Sequence, residues 1–289
     1  MTADNTIAFQ GKPGAYSHLA CREVHPEMAV LPCASFEDVF QAVESGAARL
    51  AMMPIENSLA GRVADVHRLM PHSSLHIVGE HFQRVNHHLL AVPGATVDSL
   101  VTVHSHVQAL DQCRSRLRTM GLTPMVHADT AGAARDITER GDPSHGAIAS
   151  ELAGKIYGLD VLGTEMEDGA HNHTRFLILS REAVVPDPGP EPLITSMVFR
   201  VRSVPAALYK ALGGFATNGV NLTKIESYML DGTFSAAQFY ADADGHPDER
   251  LMRLALEELE FHAREVRILG TYPAHHYRDE AQKRVAGDD

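Results

Sequence analysis

The feature that most constrains the fold is a proline-rich stretch, Val184-Val-Pro-Asp-Pro-Gly-Pro-Glu-Pro192, with four prolines and one glycine in nine residues. Proline fixes φ and has no N–H, so such a run cannot continue a helix or sit in a central strand. It reads as a stiff linker. Residues 183–192 are therefore expected to separate two folded parts. At 289 residues the chain is long enough for more than one core.

Before the linker, short apolar runs alternate with helical patterns. Residues 6–9 read as a buried strand, followed by a glycine-punctuated loop, Gly11-Lys-Pro-Gly14-Ala15-Tyr16-Ser17. Ser17 is placed to cap the next helix. Residues 28–31 form a second strand. Ser35-Phe-Glu-Asp38 is a capping box that opens a helix with Phe36, Val39, Phe40 and Val43 on one face. Residues 49–53 form the third strand. This alternation predicts a parallel sheet. Further strands are expected at 75–82, 84–92, 100–104, 124–127, 145–149 and 161–162. The helices between them start at Ser105, Asp129 and Glu151. A strand at 175–179 follows and can return to the first set. The expectation is an α/β domain over 5–182, built of one lobe from 5–81 plus 174–182 and another from 82–173. A cleft between two such lobes would enclose a small polar ligand.

After the linker the order is β-α-β-β-α-β. Strands are expected at 194–201, 220–230, 233–241 and 266–269, with helices after Pro205 and over 251–259. Asp231-Gly232 marks a hairpin turn. The pattern is ferredoxin-like and assigned to residues 193–273. A tail, 274–289, follows and is expected to be frayed after Tyr277.

Polar residues gather where strands end, the usual place for chemistry in α/β folds. They are Glu56-Asn57-Ser58 after the third strand, Ser105 with Gln112 two helical turns on, and Asn172-His-Thr174-Arg175-Phe176 at the start of the last strand. The Gly11–Ser17 loop either offers backbone N–H groups to an anion or is a plain turn. The formal net charge of −12 argues against a general nucleic-acid binder. No apolar run is long enough to span a bilayer and no signal peptide is recognised. Three cysteines, Cys21, Cys33 and Cys113, without a C-x-x-C pair imply free thiols in a reducing cytoplasm. Eighteen histidines occur without zinc-site spacing, so no metal is expected.

Taken in order, Gly11-x-x-Gly14-Ala-Tyr-Ser17, Pro54-Ile-Glu-Asn-Ser58, Ser105-His-x-Gln108-Ala-Leu-x-Gln112-Cys113, Asp129-Thr-Ala131 and Asn172-x-Thr174-Arg-Phe176 resemble the prephenate dehydratase family. Asn221-Leu-Thr-Lys-Ile-Glu-Ser227 looks like the amino-acid-binding ACT domain attached to those enzymes. The resemblance runs from about residue 7 to residue 272. It implies a periplasmic-binding-protein-like catalytic domain that converts prephenate to phenylpyruvate with no cofactor. It also implies L-phenylalanine as effector and a homodimer or homotetramer.

By this resemblance Thr174 assists departure of hydroxide. Glu56, Asn57, Ser58, Ser105, Gln112 and Arg175 line the substrate pocket, together with Gly14, Ala15, Tyr16 and Ser17. Glu56 is either a second acid or a brace for Asn57, and because a carboxylate beside a dianion is repulsive unless protonated or turned away, the brace is preferred. Arg175 either orients a substrate carboxylate or braces the loop. Effector contacts are expected from Ala206, Ala207, Leu208, Asn221, Leu222, Thr223, Glu226 and Ser227. Two departures leave the strength and sign of regulation open. The family's G-A-L reads Ala206-Ala207-Leu208 here, and its E-S-R-P reads Glu226-Ser227-Tyr228-Met229. Arogenate dehydration and non-catalytic small-molecule binding on the same fold are the alternatives. No mutase-like helical pattern is recognised, so a bifunctional chorismate mutase is not expected.

Overall fold

The computed structural model describes residues 3–169, 171–202, 204–229, 236–280 and 283. The expected Asp231-Gly232 turn lies outside them. By compactness the chain divides into two units, Met1–His67 with His81–Phe176, and Arg68–Glu80 with Leu177–Asp289.

The first segment runs β1 (Thr6–Gln10), α1 (Tyr16–Val24), β2 (Ala29–Cys33), α2 (Phe36–Glu44), β3 (Leu50–Asn57), β4 (Gly61–Arg62), α3 (Ala64–Leu69) and β5 (His76–Arg84). Ser35 and Asp38 form the expected box at the start of α2, each side chain accepting from the other's backbone N–H. The start of α1 differs from expectation. Ala15 occupies its N-cap and Ser17 is buried within the first turn. The cause lies upstream. Gly14 adopts φ +92° and donates its N–H to His18 Nδ1 at 3.0 Å, which closes the turn early.

Next come β6 (His88–Ala91), β7 (Thr102–Ser105), α4 (Val107–Gln112), α5 (Arg114–Thr119), β8 (Thr123–Val126), α6 (Thr130–Arg140), β9 (His145–Ala149), α7 (Glu151–Tyr157), β10 (Asp160–Gly163) and β11 (His173–Ser180). Two sheets result. One has the order β2-β1-β3-β11-β5, with β4 hairpinned onto β3, and the other β10-β6-β9-β7-β8. β1 is parallel to β2 and β3, and Ile7, Ala8 and Phe9 are fully buried, as befits a strand covered on both faces. In the second sheet β7 is parallel to β8 and β9, whereas β6 is antiparallel to β9 and β10. Alanines 131, 133, 134 and 153 let α6 and α7 lie close against it. Asp129 caps α6 through Gly132 N–H. Ser105 does not cap α4. His106 does, accepting from Gln108 N–H.

The last segment is β12 (Leu193–Val201), α8 (Ala207–Thr217), β13 (Leu222–Met229), β14 (Ala236–Asp244), α9 (Arg250–His262) and β15 (Ala263–Pro273). Its antiparallel sheet has the order β13-β14-β12-β15, which is the ferredoxin-like topology. Met197, Phe199, Ala211, Phe215, Leu256 and Leu259 join the sheet to its two helices. The expected fraying after Tyr277 is not observed at Arg278. Its guanidinium grips the fully buried Glu80 carboxylate at 2.6 and 2.8 Å, because a buried carboxylate needs a paired cation. Among the described residues no helix is long and apolar enough to cross a membrane.

Candidate active site

The site is built from the end of β3. Asn57 Oδ1 accepts from the backbone N–H of Leu59 at 3.0 Å and of Ala60 at 2.8 Å, an Asx-type turn that fixes the amide. Its nitrogen therefore faces β11. There it meets Asn172 Oδ1 at 2.8 Å, Thr174 Oγ1 at 3.0 Å and the His173 carbonyl at 3.1 Å. Asn172 Nδ2 donates onward to Gln112 Oε1, the last residue of α4, at 2.8 Å. Gln112 Oε1 is also 2.8 Å from His87 Nε2. Asn57, Thr174 and Gln112 are thus brought into one polar seam between the two sheets.

Ser58 serves the same loop through backbone. Its N–H donates to the His173 carbonyl, its hydroxyl to the His171 carbonyl, and its Oγ accepts from His173 N–H. These bonds fasten the β3 end to the start of β11. Glu56 Oε1 pairs with Arg175 Nη1 at 3.1 Å, and Arg175 is only 3% exposed with Phe82 5.9 Å from its guanidinium carbon. The geometry therefore gives Glu56 a partner other than Asn57. A buried guanidinium needs that carboxylate, and the pairing keeps its negative charge compensated.

Ser105 is not brought into the seam. It is fully buried on β7 and donates to the Ile148 carbonyl at 2.6 Å. In the Gly11–Ser17 loop Gly14 donates its N–H to His18, Ala15 to the Lys12 carbonyl and Gly11 to the Cys33 carbonyl. Its carbonyls are held from across the seam. Ser150 donates to Gly14 O at 2.5 Å and Tyr157 to Pro13 O at 2.9 Å. A Cβ on Gly14 would sit 2.7 Å from Ala153 Cα, so glycine is required for this approach.

Tyr16 crosses the same seam. Its hydroxyl donates to the Asn86 carbonyl at 2.6 Å and lies 3.0 Å from His87 Nδ1. Burial, with Glu167 and Cys113 nearby, raises the Tyr16 pKa well above its ordinary value, so the phenol stays protonated. Burial likewise lowers that of His87, which favours the neutral imidazole. Sequence reasoning passed over His87 and Asn172 as site members. His87 was one of eighteen histidines with no zinc-site spacing to single it out, and Asn172 was visible only as the first letter of a motif.

A second concavity lies in the C-terminal segment. A cavity of about 810 Å³ is lined by Arg202, Ala206, Ala207, Leu208, Glu226, Ser227 and Phe239, among others. Three expected effector residues lie elsewhere. Asn221 donates to Asp244, Leu222 packs on the core, and Thr223 accepts from Arg278. Among the described residues no cluster of three His, Cys, Asp or Glu could hold a metal ion.

Two α/β lobes meeting along an uncharged amide and hydroxyl seam, followed by a ferredoxin-like module, define a two-lobed α/β protein with an appended ferredoxin-like domain. Known sequences carry the assignment further. The sequence model of the prephenate dehydratase family matches residues 7–184, and the chain belongs to that family. A bifunctional N-acyl-homoserine lactone acylase/prephenate dehydratase of Komagataeibacter europaeus is 50% identical over 279 residues, covering 96% of this chain and 99% of the relative. The chloroplastic arogenate dehydratase/prephenate dehydratase 1 of Arabidopsis thaliana is 41% identical, covering 92% and 71%. The crystal structure of prephenate dehydratase from Arthrobacter aurescens in complex with L-Phe superposes with a TM-score of 0.86 at 29% identity, covering 93% and 90%.

Proposed function

We propose that this protein is a prephenate dehydratase acting in phenylalanine biosynthesis in the cytoplasm. Prephenate loses carbon dioxide and hydroxide to give phenylpyruvate. The electron pair of the breaking C–C bond enters the ring and that of the C–O bond leaves with oxygen. Aromatisation supplies the driving force, so the protein's task is to orient the dianion and stabilise the departing oxygen. The observation that supports this reading is the Asn57–Thr174 bond. Because Thr174 Oγ1 accepts from Asn57, its own proton can be directed at the leaving group. Asn172 and Gln112 hold Asn57 in place. Glu56 and Arg175 brace the floor as a pair. Tyr16 and the Gly14–Ala15 turn tie the lobes together, and Ser58 and Ser105 hold neighbouring backbone, with Ser17 beside the turn as a proposed pocket residue.

The proposed division is a catalytic domain at 5–182, a linker at 183–192, an ACT domain at 193–273 and a tail. L-Phenylalanine is the proposed effector, taken in the cavity at Ala206–Leu208 and Glu226–Ser227, with pairing of chains into a homodimer or homotetramer. The A. aurescens relative was crystallised as a complex with L-Phe, which supports this effector.

Incubating purified protein with prephenate and following phenylpyruvate tests the reading. Absence of turnover sinks it. Arogenate in a parallel assay ranks the two substrates, since relatives are named for both. An N-acyl-homoserine lactone in a third assay asks whether this chain shares the other activity named for its Komagataeibacter relative. Calorimetry with L-phenylalanine tests the effector.

A further inference from the structure

The hydrogen bonds of the seam determine where His87 carries its proton. Backbone N–H groups can only donate, so Leu59 and Ala60 fix Asn57 Oδ1 on their side. The NH2 of Asn57 then faces Asn172, whose near atom must be oxygen. The NH2 of Asn172 in turn faces Gln112, whose near atom must also be oxygen. That oxygen lies 2.8 Å from His87 Nε2. An oxygen at this distance requires a hydrogen on the ring nitrogen. On the far side Nδ1 is left to accept, 3.0 Å from the Tyr16 hydroxyl, whose single hydrogen it shares with the Asn86 carbonyl.

We propose that His87 is a positioning residue, locked as the Nε2–H tautomer, that pins the far end of an amide relay controlling the Thr174 hydroxyl. The inference deepens the dehydratase reading and rests on it for its kinetic arm only. With the proton on Nδ1, two lone pairs would face each other across 2.8 Å. Turning Gln112 to relieve this would set its NH2 against that of Asn172. Turning Asn172 would move the same conflict to Asn57. Turning Asn57 would forfeit both turn bonds and the hydrogen it donates to Thr174. His87 is itself fixed, being 2% exposed with its backbone N–H held by Glu167 Oε2 at 2.8 Å. Register is therefore imposed from both ends, by backbone at one and by a tautomer at the other.

The test has a spectroscopic arm and a kinetic arm. Long-range 1H–15N correlation on 15N-histidine-labelled full-length protein, with His87→Gln to assign the signal, is expected to give the Nε2–H pattern at neutral pH. An Nδ1–H pattern or an imidazolium overturns the proposal. In turnover, His87→Leu is expected to lower kcat by about tenfold to hundredfold through misplacement of the reacting groups, with KM nearly unchanged. His87→Gln, whose amide N–H reaches the same oxygen, is expected to restore most of the loss. Equal loss in both variants, or loss confined to KM, overturns it. If wild-type protein converts neither prephenate nor arogenate, the dehydratase reading falls, and the spectrum still decides the tautomer. If His87→Leu does not fold, the spectrum and His87→Gln still decide.

Discussion

Asn57 and Thr174 stand 117 positions apart in the chain and 3.0 Å apart at Nδ2 and Oγ1. A nitrogen donor on that oxygen settles the sense of the hydroxyl. It accepts on one side, so it donates on another.

The first prediction concerns this hydroxyl. Thr174→Val keeps the shape and removes the donor. It is expected to lower kcat for phenylpyruvate formation by about 10²–10⁴-fold, the range for a group assisting proton transfer. Thr174→Ser is expected to retain measurable turnover. Circular dichroism and thermal midpoint should match wild type, and near wild-type turnover by Thr174→Val would remove Thr174 from the mechanism.

The Glu56–Arg175 pair gives a stability prediction. Arg175 is 3% exposed and Glu56 about 30%. Removing the carboxylate leaves a buried cation less compensated, so Glu56→Ala is expected to cost about 3 kcal/mol, the lower end for a broken buried pair. Glu56→Ala/Arg175→Met is expected to recover part of that loss. Urea unfolding checks both, and a double variant no more stable than Glu56→Ala would contradict the account.

Ala206 adopts φ 61° and ψ 15° as N-cap of α8. This is left-handed backbone, costly for a residue with a Cβ. Ala206→Gly is therefore expected to stabilise the protein by about 1 kcal/mol. At a position bordering the proposed effector cavity it should also alter phenylalanine affinity. A lower thermal midpoint would show that something other than backbone strain governs the position.

Acid should destabilise the fold. Burial lowers the pKa of His18, His87, His88 and His104 from 6.5. Above 6.5 these rings are neutral folded or unfolded. As pH falls below it, the unfolded chain binds protons first, so stability declines until the lowered folded values are passed. The thermal midpoint is expected to drop between about pH 7 and pH 5.5. Proton uptake should accompany unfolding in that window, and a flat midpoint would refute this.

Local chemistry was readable in the sequence where one residue answers another nearby. Ser35 and Asp38, or Asp129 and Gly132, set their helix starts within three or four residues. The order of strands and helices followed from apolar periodicity in the same way. What stayed hidden depends on distant partners. Ser17 looked like a cap until Gly14, drawn against Ala153, closed the turn before it. Ser105 looked like a cap until His106 took that place and its hydroxyl met Ile148 on a neighbouring strand. Arg278 looked like tail until Glu80 came to meet it. His87 carried no local signal, because its role is written in amides far along the chain, at Gln112, Asn172 and Asn57.

β11 lies between β3 and β5 in the first sheet although it is made long after both. During synthesis, then, the two older strands wait with unpaired N–H and C=O groups along facing edges, an invitation to foreign strands. The nascent chain is exposed to misassembly until residue 180 has emerged. The strand that closes this gap also delivers Thr174, so completion of the sheet and arrival of the proposed donor hydroxyl are a single event in the protein's biogenesis.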